Sequence, residues 1–151
     1  MTEDFASIVS YIMNTVGKSN GAQDYYENIK DGFKLPALYF KTPEIIPNKD
    51  ILSPQYVNSK SAFIEVYHLS NDFAYTLAND ITNSIFKNRG YIPLLNEDGK
   101  ETGLFIRVKV KKVSKIDDCV AQVQLSWEYR QHFADTSKMY ADNLNFNLTG
   151  G

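Results

Sequence analysis

"LFIRVKVKKVSKIDDCVAQVQLSWEYR", residues Leu104 to Arg130, alternates apolar and polar side chains on both sides of a single turn. A period of two belongs to strands with one face in a core, so the stretch reads as a long antiparallel hairpin. Leu104, Ile106, Val108 and Val110 share one face of its first strand, and Phe105, Arg107, Lys109 and Lys111 share the other. In the second strand Cys119, Ala121, Val123, Leu125, Trp127 and Tyr129 alternate with Val120, Gln122, Gln124, Ser126, Glu128 and Arg130. A slip by one residue would turn a core face to water, so only registers that match the apolar faces survive. One sets Arg107 opposite Glu128 with Asp117 and Asp118 as a two-residue turn. The other sets Lys109 opposite Gln124 with a four-residue loop, and both stay open.

Upstream, Phe5, Ile8, Val9, Ile12 and Val16 recur at helical spacing, with Thr2 or Asp4 as cap and Gly17 as stop. "GKSNGAQDYYENIKDGF" reads as loop. A strand is expected over Ala37 to Lys41, limited by Pro36 and Pro43. The stretch 43–60 is expected to be a long loop carrying Ile45, Ile46, Ile51, Leu52, Tyr56 and Val57, apolar residues that need something to bury against. "SAFIEVYHLS" is a strand with Ala62, Ile64, Val66 and His68 on one face and Phe63, Glu65 and Tyr67 on the other. A second helix follows, with Phe73, Leu77, Ile81 and Ile85 as its stripe, Ala74 and Ala78 beside it, a cap among Ser70, Asn71 and Asp72, and Gly90 as its end. The fold class is therefore α+β: a mostly antiparallel sheet with a long C-terminal hairpin and two main helices packed on one face. Residues 1–131 make a single domain, and 132–151 form a tail or arm with a few adhesive residues, among them Tyr140, Leu144 and Phe146.

Lengths add one expectation. Ten strand residues from Leu104 span about 33 Å, while a helix from Asp72 to Asn88 spans about 25 Å. Either the first helix covers the remainder, or the hairpin end protrudes and packs on another molecule.

Composition narrows the function. The 151 residues carry 16 Lys plus Arg against 18 Asp plus Glu, a net charge of -2, so no global positive field recruits nucleic acid or membrane. No stretch is apolar over the ~20 residues of a membrane span, and the broken, acidic start does not resemble a secretory signal; cytosolic synthesis is expected. One cysteine and two histidines make a disulfide impossible within the chain and a metal site unexpected. Cys119 with His68 could be imagined as nucleophile and base, but Cys119 falls on the apolar face, where a thiol packs as a small hydrophobe. Asp117 and Asp118, and the "NEDGKETG" stretch, read as turns rather than acid/base or calcium sites. No catalytic residue and no cofactor is expected. The polar hairpin face of Phe105, Arg107, Lys109, Lys111, Gln122, Gln124, Glu128 and Arg130 is either a solvated sheet face or a subunit interface or channel lining.

"FIEVYHLSNDFAYTLANDITNSI", Phe63 to Ile85, and "IPLLNEDGKETGLFIRVKVKKVSKIDDCVAQVQLSWEYR", Ile92 to Arg130, together resemble the tail terminator (tail completion) proteins of bacteriophages and phage-tail-like particles. The shared features are a strand, a helix, a turn with "NEDG" and a long closing hairpin ending in "WEYR". The likeness covers Ala62 to Arg130, less than half the chain; the N-terminal helix agrees in position only, and 43–60 and the tail have no clear counterpart. It implies a non-enzymatic structural virion protein, made in the host cytoplasm and located at the neck of the tail. Such a subunit forms a homo-oligomeric ring, commonly a hexamer, that caps the tail tube protein, stops its growth and docks the head-tail connector, with DNA only in transit. The loop residues Ile45, Ile46, Ile51, Leu52 and Tyr56 and the tail residues Tyr140, Leu144 and Phe146 are then arms for tube or neighbour. The alternatives are a connector or stopper ring, or a monomeric binding module using the basic hairpin face.

Overall fold

The computed structural model describes residues 1–26, 31–49 and 55–132. Helix α1 (Glu3–Ile12) starts at Thr2, whose side chain does not cap the backbone, and buries Phe5, Ile8, Val9 and Ile12. It does not stop at Gly17. The chain continues through a widened π turn, Met13–Gly17, and a 3-10 turn, Lys18–Asn20, and reverses at Gly21 with a left-handed φ of 69°. A Cβ on Gly17 would lie 2.7 Å from the Met13 sulfur, so this glycine serves close packing rather than termination.

Strands β1 (Gln23–Tyr25), β2 (Ala37–Phe40), β3 (Glu44–Lys49), β4 (Gln55–Tyr67), β5 (Tyr91–Leu95), β6 (Glu101–Asp117) and β7 (Val120–His132) form one curled sheet in the order β1-β2-β4-β7-β6-β5. Only β1 and β2 run parallel. The α+β class and the mostly antiparallel sheet follow the sequence reading. The expected loop at 43–60 does not: β3 pairs antiparallel with β4 from Glu44↔Ser61 to Lys49↔Tyr56. Pro47 is compatible with β3 because, among the described residues, β3 pairs on one side only, and proline is tolerated on an edge.

Helix α2 (Asn71–Lys87) is capped by Ser70, whose Oγ accepts from the Phe73 N–H at 3.1 Å. It buries Ala74, Leu77, Ala78, Ile81, Thr82 and Ile85, whereas Phe73 is 55% exposed. A spacing of four drifts by about 40° per step, which carries Phe73 roughly 120° away from Ile85. At the helix end Gly90 adopts φ 83°, and its carbonyl accepts the Val108 N–H at 2.7 Å. Tyr11 ties the helices together: its hydroxyl donates to the Ser84 carbonyl at 2.7 Å and accepts from Asn88 at 3.0 Å. Burial pushes the Tyr11 phenol above its ordinary pKa.

The closing hairpin takes the register that leads from Val108↔Trp127 and Val110↔Leu125 toward Arg107 opposite Glu128, then changes it twice. Bulges between Val110 and Lys112 and between Lys115 and Asp117 insert extra residues in β6, so the turn is Asp118 and Cys119 instead of Asp117 and Asp118. Cys119 consequently leaves the core face and sits in the turn at φ 60°. Leu104 also leaves it, 64% exposed, because four residues of β6 span two of β5 between Pro93↔Phe105 and Leu95↔Glu101. The turn end does not overhang its cover. Asn71 Oδ1 accepts the Cys119 N–H at 2.6 Å, and the Cys119 carbonyl accepts the His68 N–H at 3.0 Å. At the other end α1 supplies the remaining cover, with Phe5 stacked parallel on Trp127 at 6.3 Å between centroids. The overhang belongs to β4 and β7, which run five residues past the Lys60↔Trp127 pair, about 17 Å.

A groove at the fork of the sheet

At Val108 the sheet divides. β6 leaves β7 to pair with β5 through Arg107, Ile106 and Phe105, while β7 stays with β4 out to His132. An open groove of about 1010 Å³ lies in the fork, lined by Phe105, Arg107, Lys109 and Lys111 of β6, Gln124, Ser126 and Glu128 of β7, Ser59 and Ser61 of β4 and Ile46 of β3, with Leu104 at its margin. Alternation along each strand places these side chains, Leu104 apart, together on the face opposite the helices.

The charge on this face is uneven. Near β2, Glu65 is neutralised by Lys41 at 2.7 Å and accepts from the Tyr67 hydroxyl at 2.6 Å. Burial first, and then this hydrogen bond to a carboxylate, push the Tyr67 phenol far above its ordinary pKa. In the groove, by contrast, Arg107, Lys109 and Lys111 have no carboxylate within ion-pair distance among the described residues, although Glu128 lines the same space. Arg107 instead lies 5.8 Å over the Tyr91 ring. Leu104, Phe105 and Ile46 are 64%, 62% and 60% exposed beside these cations.

On the opposite, helix-covered face of the sheet Lys60 meets Asp4, 2.6 Å away, and Trp127 Nε1 donates to the same carboxylate oxygen at 2.8 Å. Burial would raise the Asp4 carboxyl, but hydrogen bonds from Lys60, Thr2 and Trp127, together with the Lys60 charge, outweigh it and hold the pKa below the ordinary value.

Six of the eight hairpin residues singled out from sequence, Phe105, Arg107, Lys109, Lys111, Gln124 and Glu128, meet in this groove. Gln122 lies nearer the turn, opposite Glu65 and Ser114, and the Arg130 side chain lies outside the described residues. Of the expected arm residues, Ile45 and Ile46 are exposed on opposite faces of β3, and Ile45 borders a second, apolar cleft with Met1, Phe5, Tyr26 and Phe40. Tyr56 is described in its backbone alone; Ile51, Leu52, Tyr140, Leu144 and Phe146 lie outside the described residues. Sequence reasoning missed Leu104 as a surface residue and the Asp4–Lys60 pair altogether, since nothing local links positions 56 residues apart.

The other candidate chemistry resolves into turns. His68 and Cys119 meet through their backbones, and the Cys119 thiol faces the Leu69 carbonyl at 3.5 Å. Asp117 Oδ1 accepts the Asp118 N–H at 2.7 Å, and Asn96 Oδ1 accepts from Asp98 and Lys100, both at 2.9 Å. Among the described residues no three His, Cys, Asp or Glu side chains cluster as a metal site, and no helix is long and apolar enough to cross a membrane.

The chain is 27% identical over 97% of its length to the uncharacterized protein YqbJ of Bacillus subtilis, covering 97% of that protein. It is 25% identical over 82% of its length to XkdJ, a protein of the phage-like element PBSX of the same organism, covering 84% of it. The likeness is to a phage-related protein. No family model matches the chain.

Proposed function

We propose that the chain is a tail terminator of a phage or phage-tail-like particle: a non-enzymatic subunit that closes with its own copies into a ring, caps the tail tube, ends its growth and offers a docking surface to the head connector. The observation that carries this reading is the fork groove. Exposed leucine, phenylalanine and isoleucine beside three cations that have no ion-pair partner among the described residues form a surface suited to protein contact rather than to water alone. A groove used by a different surface of a neighbour gives a heterologous contact, the kind that closes into rings. The β3 edge, which has no second strand partner among the described residues, and the β4–β7 overhang add backbone that a neighbour or the tube would cover. The PBSX relative supports the phage setting, and the ring, its six-fold count and its place at the neck are what the terminator resemblance adds.

Polymerising tail tube protein with and without the chain tests the proposal by electron microscopy. Tubes of bounded length with a ring at one end are expected. Tubes that grow unchecked and carry no added density overturn it, and capture by connector proteins without tube binding moves the chain to the stopper role.

A further inference from the structure

The two ends of the β4–β7 ribbon carry opposite signs. From Ser61↔Ser126 in the groove to Tyr67↔Val120 beside the turn is about 20 Å of strand. At the far end Leu69 is 70%, Phe73 55% and Ile116 43% exposed, and with them stand the exposed carboxylates of Asp72, Asp117 and Asp118. Lys115, 3.3 Å from Asp118, is the counter-charge there. The hydrogen bond from the Cys119 N–H to Asn71 joins the hairpin turn to the start of α2, so the two make one knob at this end. It is apolar and acidic, whereas the groove at the other end is apolar and basic.

We infer that the turn end of one copy, with Leu69, Phe73, Ile116 and Asp118, seats in the fork groove of the next copy against Leu104, Phe105, Lys109 and Lys111. This rests on the ring reading and names its junction. The occupant is a second copy because complementary charge and exposed apolar side chains occur together on both ends of the same chain, where like-charged ends would repel. Head-to-tail use of two different surfaces leaves every unclosed assembly one free groove at one end and one free knob at the other, so association propagates until it closes.

Paired charge reversal on the full chain tests it. Lys109→Glu with Lys111→Glu makes the groove acidic, and Asp72→Lys with Asp118→Lys makes the turn end basic. Each double variant alone is expected to keep its melting transition and to self-associate at least about tenfold more weakly than the unaltered chain, by native mass spectrometry and by tube capping. Mixed in equal amounts, the two variants present complementary surfaces at every junction, and assembly is expected to return. A second readout uses the single native cysteine: Leu104→Cys should form intermolecular disulfides with Cys119 under mild oxidation, above the yield of the unaltered chain. Rings and capping that survive both charge reversals, with no gain in disulfide, overturn the junction while leaving the terminator reading intact. An unaltered chain that neither self-associates at high concentration nor caps tubes overturns both.

Discussion

The Lys60 ammonium lies 2.6 Å from the Asp4 carboxylate where both side chains are almost withdrawn from water, 4% and 1% exposed. The pair pins the first turn of α1 to β4, and Trp127, donating to the same carboxylate, adds β7. Removing one member leaves a buried charge without its partner, which typically costs about 3–5 kcal/mol, whereas apolar replacement of both is far less damaging. Asp4→Ala is therefore expected to lower unfolding stability by that amount in urea titration. Asp4→Leu combined with Lys60→Met should cost less than the sum of its single changes, the signature of direct coupling in a double-mutant cycle.

The same carboxylate gives stability a pH dependence. Its folded pKa lies below the unfolded value of about 3.9, so the contribution is complete above that value and lost as pH falls through the folded pKa. Thermal melts at falling pH should show a loss of stability setting in near pH 4 and continuing below it. The acid limb should be shallower in Asp4→Asn, and an unchanged limb would remove Asp4 from the account.

Gly90 combines two constraints that only glycine meets. Its φ of 83° is left-handed, and a Cβ would come within 2.4 Å of the Val108 carbonyl oxygen, on the residue whose N–H it binds. Gly99 has a similar φ of 77° with open space around it. Gly90→Ala is expected to cost at least about 2 kcal/mol, and Gly99→Ala about 1 kcal/mol, so the difference isolates the steric part. Chemical denaturation of the two variants measures it.

The hairpin and α2 were legible because their period is written in adjacent residues and because burial on one face enforces it. Ser70 and Gly90 marked both helix ends for the same local reason. β3 was not legible, since Pro43 and Pro47 are turn signals unless a strand lies on an edge, and edge position is decided by tertiary pairing. The two bulges in β6 were hidden for a related reason: alternation stays plausible on either side of an inserted residue, and only the partner strand reveals the shift. The groove was half legible. The basic strip on β6 follows from alternation, but its union with Ile46 and Leu104 needed the fork at Val108 and the irregular pairing with β5.

Leu104 and Phe105 separate assembly from folding. Both are more than 60% exposed in the single chain, so neither contributes much to its core. Replacing both by serine is expected to change unfolding stability by no more than about 0.5 kcal/mol, as surface substitutions generally do. In the proposed ring the same residues would lose their water against a neighbour, where each large apolar side chain fully buried is worth roughly 1.5–3 kcal/mol. A Leu104→Ser, Phe105→Ser chain should therefore melt like the unaltered protein yet leave tail tubes uncapped. If it caps normally, the groove is a solvated face and the contact surface lies elsewhere; if it fails to fold, Leu104 and Phe105 hold up the β5–β6 fork itself.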